Sequence, residues 1–101
     1  MSRERVVADE NIGGLSAQLE RAALGAILRS YDDLNGTYFR FQLRPPPFRL
    51  VDGRARLGAY VPRPRGIELS RSLLAEHGWG VLIEVLKHEM AHQFVFEVLD
   101  I

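Results

Sequence analysis

The sequence contains no cysteine. That excludes a disulfide-stapled scaffold and any zinc site built on thiolates, and it suits a reducing compartment, so the expectation is a cytoplasmic protein. Neither sign of charge predominates. Thirteen Lys and Arg are matched by thirteen Asp and Glu, which gives no nucleic-acid or membrane signature. Met1-Ser2-Arg3-Glu4-Arg5 leads into polar sequence rather than an apolar signal region, and no uncharged run is long enough to span a bilayer. Internal repeats are absent, and the only biased stretch is a short patch rich in Pro and Arg. What remains, at 101 residues with 47% apolar and 26% charged content, is one small globular domain.

Chemistry concentrates in Leu86-Lys87-His88-Glu89-Met90-Ala91-His92-Gln93. On an α-helix, residues i and i+4 share a face, so His88 and His92 can aim two imidazoles at one point. That is the demand a tetrahedral zinc ion makes of two of its ligands. Glu89 projects about 100° round the same helix, placed to work on a metal-bound water without being a ligand, as the general base of a zinc peptidase does. Residues 81–99 contain no Gly or Pro and follow Gly78-Trp79-Gly80, which predicts one long helix. Apolar residues cover most of its circumference, which predicts a central, buried helix. The plainer alternative is a pair of core histidines hydrogen-bonded to their neighbours.

Upstream, Leu15, Leu19, Ala22, Ala23, Ala26, Ile27 and Tyr31 recur at helical spacing, predicting an amphipathic packing helix over 15–31 that begins after Gly13-Gly14. Asp32-Asp33-Leu34-Asn35-Gly36 reads as its stop, with the two aspartates solvated rather than metal-binding. Residues 37–43 alternate and predict a half-buried strand. Arg44-Pro45-Pro46-Pro47 should cross over as a rigid extended spacer. Asp52-Gly53, between 48–51 and 54–61, reads as a two-residue hairpin turn. Ile67, Glu68 and Leu69 form a short strand, and Ser70 can cap a helical turn through Leu74. Pro62 and Pro64 lack donors and favour a sheet edge nearby, so Ile67, Glu68, Leu69 and Ser70 are expected to form a substrate-binding edge beside the histidines, with Ile67 and Leu69 packed inward. Arg54, Arg56, Arg63 and Arg65 make a locally basic strip, read as a solvated edge or as a phosphate-contacting surface.

These features together resemble the SprT-like, Spartan-related metallopeptidases. The resemblance runs from about residue 15 to 99 and rests on Arg56-Leu57-Gly58, on Gly66-Ile67-Glu68-Leu69-Ser70 followed by Leu73-Leu74, and on Val85-Leu86-Lys87-His88-Glu89-Met90-Ala91-His92. It implies zinc ligation by His88 and His92 and a catalytic Glu89. By resemblance alone it also implies association with DNA. SprT-like domains complete their site with a third histidine downstream of the motif helix. Here only His77 remains, and it lies upstream. Glu84 sits one turn before His88, but 84 to 92 spans about 12 Å of helix, too far for three side chains to converge on one ion. Glu84 is therefore read as a partner that orients His88, or as an ordinary helix charge.

The sequence thus predicts an α+β fold, in which a leading amphipathic helix and a small, mainly antiparallel sheet of three or four strands pack on a buried, zincin-like H-E-x-x-H helix. Residues 1–101 are read as a single SprT-like domain lacking a C-terminal part, with apolar surface left for self-association. The expected function is that of a zinc-dependent peptidase acting on proteins or peptides, nearly inactive in this chain for want of a third ligand, with Glu89 the general base. The alternative is a non-catalytic zinc-binding or nucleic-acid-associated interaction module that uses the arginine strip.

Overall fold

The computed structural model describes residues 2–53 and 55–101, and the side chains of 17–53 and 55–101. The first element, α1 (Ser2–Phe39), is far longer than the spacing of its apolar residues predicts and runs through Gly13-Gly14. Ile27, Tyr31 and Asn35 recur every fourth residue and are its buried stripe. Leu19, grouped with that stripe by spacing, is exposed.

The predicted stop at Asn35-Gly36 and the predicted strand over 37–43 are both corrected. The helix continues to Phe39 and ends at Arg40 and Phe41, which adopt left-handed φ values of 53° and 59°. The Phe41 amide donates back to the Asn35 carbonyl at 3.0 Å, which closes the helix end. Asn35 serves the segment beyond: its side-chain amide donates to the Leu43 carbonyl at 2.8 Å and accepts the Leu43 N–H at 3.2 Å. The Phe41 ring lies over Gly36, where a Cβ would sit 2.4 Å from Phe41 Cζ and push that exposed ring aside. The apparent alternation of 37–43 arises because Phe39 and Leu43 turn inward from different local structures while Phe41 stays exposed.

After the extended proline connector come β1 (Phe48–Val51), β2 (Gly58–Pro62) and β3 (Arg65–Ser70), then α2 (Arg71–Glu76) and α3 (Trp79–Glu97). The sheet is mixed and three-stranded in the order β1-β3-β2, not mainly antiparallel. Asp52-Gly53 makes no hairpin. It ends β1, with Gly53 at a φ of 130°, and β1 pairs parallel with β3 in the register Phe48↔Ile67 and Val51↔Ser70. The hairpin lies instead between β2 and β3, where Pro62 faces Arg65 across Arg63-Pro64, a cis peptide bond.

Strand β3 is therefore central, and Ile67, Glu68, Leu69 and Ser70 are not an edge. Ile67 and Leu69 do pack inward, both fully buried. Glu68 lies on the other face and pairs with Arg49 at 3.4 Å. Ser70 accepts the Ser72 N–H at 3.1 Å, the cap its sequence position predicts. The core joins Ile27 and Tyr31 of α1, Ile67 and Leu69 of β3, Leu73 of α2, and Leu82, Leu86 and Met90 of α3. Burying each such side chain is worth about 1.5–3 kcal/mol. No helix among the described residues is long and apolar enough to cross a membrane.

Candidate metal centre

Helix α3 begins at Trp79 after Gly78 and is uninterrupted to Glu97, as the run without Gly or Pro predicts. It is not buried all round. Leu82, Leu86, Glu89, Met90 and Gln93 face the core, whereas Val81, Val95 and Phe96 are exposed along with both histidines. The sheet covers one side of the helix only, and the other side forms one wall of a cleft of about 1190 Å³. The opposite wall runs from Ala55 to Tyr60.

His88 and His92 line this cleft and meet there. Their Nε2 atoms are 3.1 Å apart and their rings stand nearly perpendicular, at 80°. Two nitrogens bound tetrahedrally at 2.0–2.1 Å to one zinc ion would be separated by about 3.3 Å, so the donor pair fits that ion with little adjustment. A hydrogen-bonded pair of neutral imidazoles would also fit the distance. Among the described residues no group of three or more His, Cys, Asp or Glu gathers as a metal-holding set.

Glu89 is 7% exposed yet lines the same cleft. Its Oε1 accepts the backbone N–H of Tyr60 at 2.9 Å. That amide is available because Tyr60 stands opposite Ile67, whose own N–H donates to Pro47 on the β1 side. Alternation along an antiparallel pair then turns the Tyr60 N–H and C=O outward, away from β3. The approach needs Gly58: a Cβ there would come within 2.7 Å of Val85 Cγ1 and 3.3 Å of Glu89 Cγ.

The remaining sequence candidates are dispersed. Glu84 lines the cleft and pairs with Lys87 at 3.4 Å. Asp32, Asp33 and His77 are exposed. Of the basic strip, Arg54 lies outside the described residues, Arg56 lines the cleft, and Arg63 is exposed. Arg65 is committed elsewhere, donating from Nε and Nη2 to both carboxylate oxygens of Glu97 at 2.7 and 2.8 Å.

This pair belongs to a polar network that sequence reasoning missed. The Tyr60 hydroxyl donates to Glu97 Oε2 at 2.6 Å. Gln93, next to His92 and fully buried, donates to Glu97 Oε1 at 3.1 Å and to the Arg44 carbonyl at 2.9 Å, and accepts from the Tyr31 hydroxyl at 2.8 Å. The Arg65 guanidinium holds the Glu97 carboxyl well down, at about 2. Burial first, and then the Glu97 carboxylate, push the Tyr60 phenol up to about 12; burial also pushes Tyr31 to about 12. The available signal was Gln93 and Glu97 at i and i+4 on the core side of an apolar helix, where polar groups need partners.

A sequence model described as the SprT-like family matches residues 27–100. The chain belongs to the SprT-like family. It is 38% identical over 66 residues to Protein SprT-like of Bacillus subtilis (strain 168), a match covering 60% of this chain and 41% of the relative. The chain thus spans about two fifths of the length of the curated relative it matches. No solved structure matches it. The matched segment of this SprT-like chain holds the buried stripe of α1, the whole sheet and both histidines.

Proposed function

We propose that this chain carries the metal-binding helix and the general base of a zinc-dependent peptidase acting on proteins or peptides, a zincin-like arrangement. The observation that carries this reading is the convergence of His88 and His92 Nε2 to 3.1 Å in an open cleft that Glu89 also lines. A closed structural site would instead surround its ion with four protein ligands.

In this reading His88 and His92 hold zinc, which when bound lowers the pKa of water and polarises the scissile carbonyl. Glu89 takes the proton of the attacking water and delivers it to the leaving amine. The Tyr60 amide, on Oε1, leaves Oε2 as the oxygen free for that proton. The substrate edge moves from β3 to β2. The outward carbonyls of Gly58 and Tyr60, and the Gly58 N–H, offer an extended peptide main-chain pairing along the cleft, while Pro62 offers no donor. The nucleic-acid alternative is weaker because Arg65, one of the four strip residues, is spent on Glu97.

The test is a metal titration of the chelator-treated chain, followed by a protein-hydrolysis assay. Binding should vanish in His88→Ala and in His92→Ala and persist in Glu89→Gln. Any hydrolysis should disappear in Glu89→Gln. Hydrolysis indifferent to that substitution would overturn the reading.

A further inference from the structure

Tyr60 is held to α3 at both of its ends. Its backbone N–H is on Glu89 Oε1 at 2.9 Å, and its hydroxyl is on Glu97 Oε2 at 2.6 Å. Those two carboxylates stand eight residues apart, about 12 Å along the helix. A single strand residue therefore spans more than two turns of α3, with His92 between its anchor points and His88 just before the first. The far anchor is rigid. Glu97 accepts from Arg65 through both oxygens in a fork geometry that fixes carboxylate orientation, and Arg65 also donates to the Arg44 carbonyl at 2.7 Å. The Tyr60 ring also stands beside Phe96, with centroids 6.0 Å apart.

The near anchor has no such reinforcement. Among the described residues no strand pairs with the outer side of β2, and the hydrogen bond from β2 to Glu89 comes from the main chain of residue 60. Without the phenol bond, that side of β2 would be joined to α3 by apolar contact and the one amide. We infer that the Arg65–Glu97 pair is a positioning device for the catalytic base, acting through the Tyr60 phenol to hold the outer edge of β2 against α3 and keep the Tyr60 N–H on Glu89. Arg65, Glu97 and the Tyr60 hydroxyl touch neither histidine nor Glu89; they act by placing the strand. The functional meaning of this device rests on Glu89 being the base, but its existence is a property of the chain alone.

The experiment is therefore done on the metal-free full chain, by NMR of the residue-60 amide, with Tyr60→Phe as the probe. That change deletes the hydroxyl and keeps the ring beside Phe96. Glu89→Ala supplies the reference for a released amide. In Tyr60→Phe the residue-60 amide proton should move toward its position in Glu89→Ala, and its hydrogen exchange should quicken about tenfold, the scale of one lost hydrogen bond to a charged group. The amides of Ala59 and Val61, which face β3, should change less than about threefold. Glu97→Gln, which keeps an acceptor but loses the fork with Arg65, should give the same local pattern and serves if Tyr60→Phe does not fold. An unmoved residue-60 amide overturns the inference, and so does equal quickening of all β2 amides, which would mean general loosening. Because neither readout needs metal or substrate, either failure leaves the peptidase assignment to stand or fall on Glu89→Gln alone.

Discussion

Gly58 lies where any side chain would strike Val85: an added Cβ would be 2.7 Å from Val85 Cγ1. Alanine in a strand interior is ordinarily better than glycine by about 0.5–1 kcal/mol. Here the contact reverses that sign. Gly58→Ala should cost about 1–3 kcal/mol, the range for an overpacked interior, because the obstacle is a branched side chain fixed on a helix. Thermal unfolding measures it, and a Tm equal to or above that of the parent would show that α3 gives way freely.

Acid should undo the Glu97 network in a defined window. The carboxyl titrates at about 2 in the folded chain, against an ordinary value of 4.5. A depressed folded-state pKa contributes stability that is complete above pH 4.5 and drains away as pH falls toward 2. The contribution is on the order of 2–3 kcal/mol. Denaturant midpoints measured from pH 6 to 2 should drop across that window, and Glu97→Gln should flatten the profile while lowering it at neutral pH.

Alkali acts on the same network from the other side. Tyr31 and Tyr60 both titrate near 12 when folded, against 10. A raised folded-state pKa means the unfolded chain loses its protons first, so stability is intact below pH 10 and falls between 10 and 12. Tyr31→Phe and Tyr60→Phe should each reduce the steepness of that fall, followed by circular dichroism on an alkaline titration.

Metal binding should be weak. On the proposed reading His88 and His92 supply only two ligands, and no group of three or more His, Cys, Asp or Glu gathers among the described residues. Purified without added zinc, the chain should hold less than one equivalent, and dialysis against a chelator should empty it. Elemental analysis after dialysis settles the point; retention of one equivalent would reveal a further ligand.

The site was more legible in the sequence than the sheet around it. Spacing alone brought His88 and His92 to one face and set Glu89 beside them, because an α-helix is a local rule that needs only residues a few places apart. The Ser70 cap is local in the same sense, and it was read correctly. The pairing of β1 with β3 is not. Asp52-Gly53 carries the chemistry of a tight reversal, yet whether the chain then pairs with the strand it has just left depends on partners some nineteen residues away, as in Phe48↔Ile67. Residues 37–43 failed for a related reason. Seven residues that alternate in polarity fit a strand, and equally fit a helix end, a left-handed pair and a connector. Nor does the pattern of residues 54–61 reveal what the outward backbone amide of Tyr60 will meet.

The outer rim of β2 carries one further consequence. An unpaired strand edge invites the edge of another molecule, the first step of sheet-to-sheet aggregation. Of the three outward-turned residues on β2, Pro62 has no N–H to offer and Tyr60 has its N–H covered by the Glu89 carboxylate, which leaves Gly58 as the bare donor of β2 among the described residues. A charge and an imino acid thus blunt the strand against its own kind. The Glu89 carboxylate shields the rim, and Glu89→Ala would expose a second donor there and remove the negative charge that would repel an approaching copy.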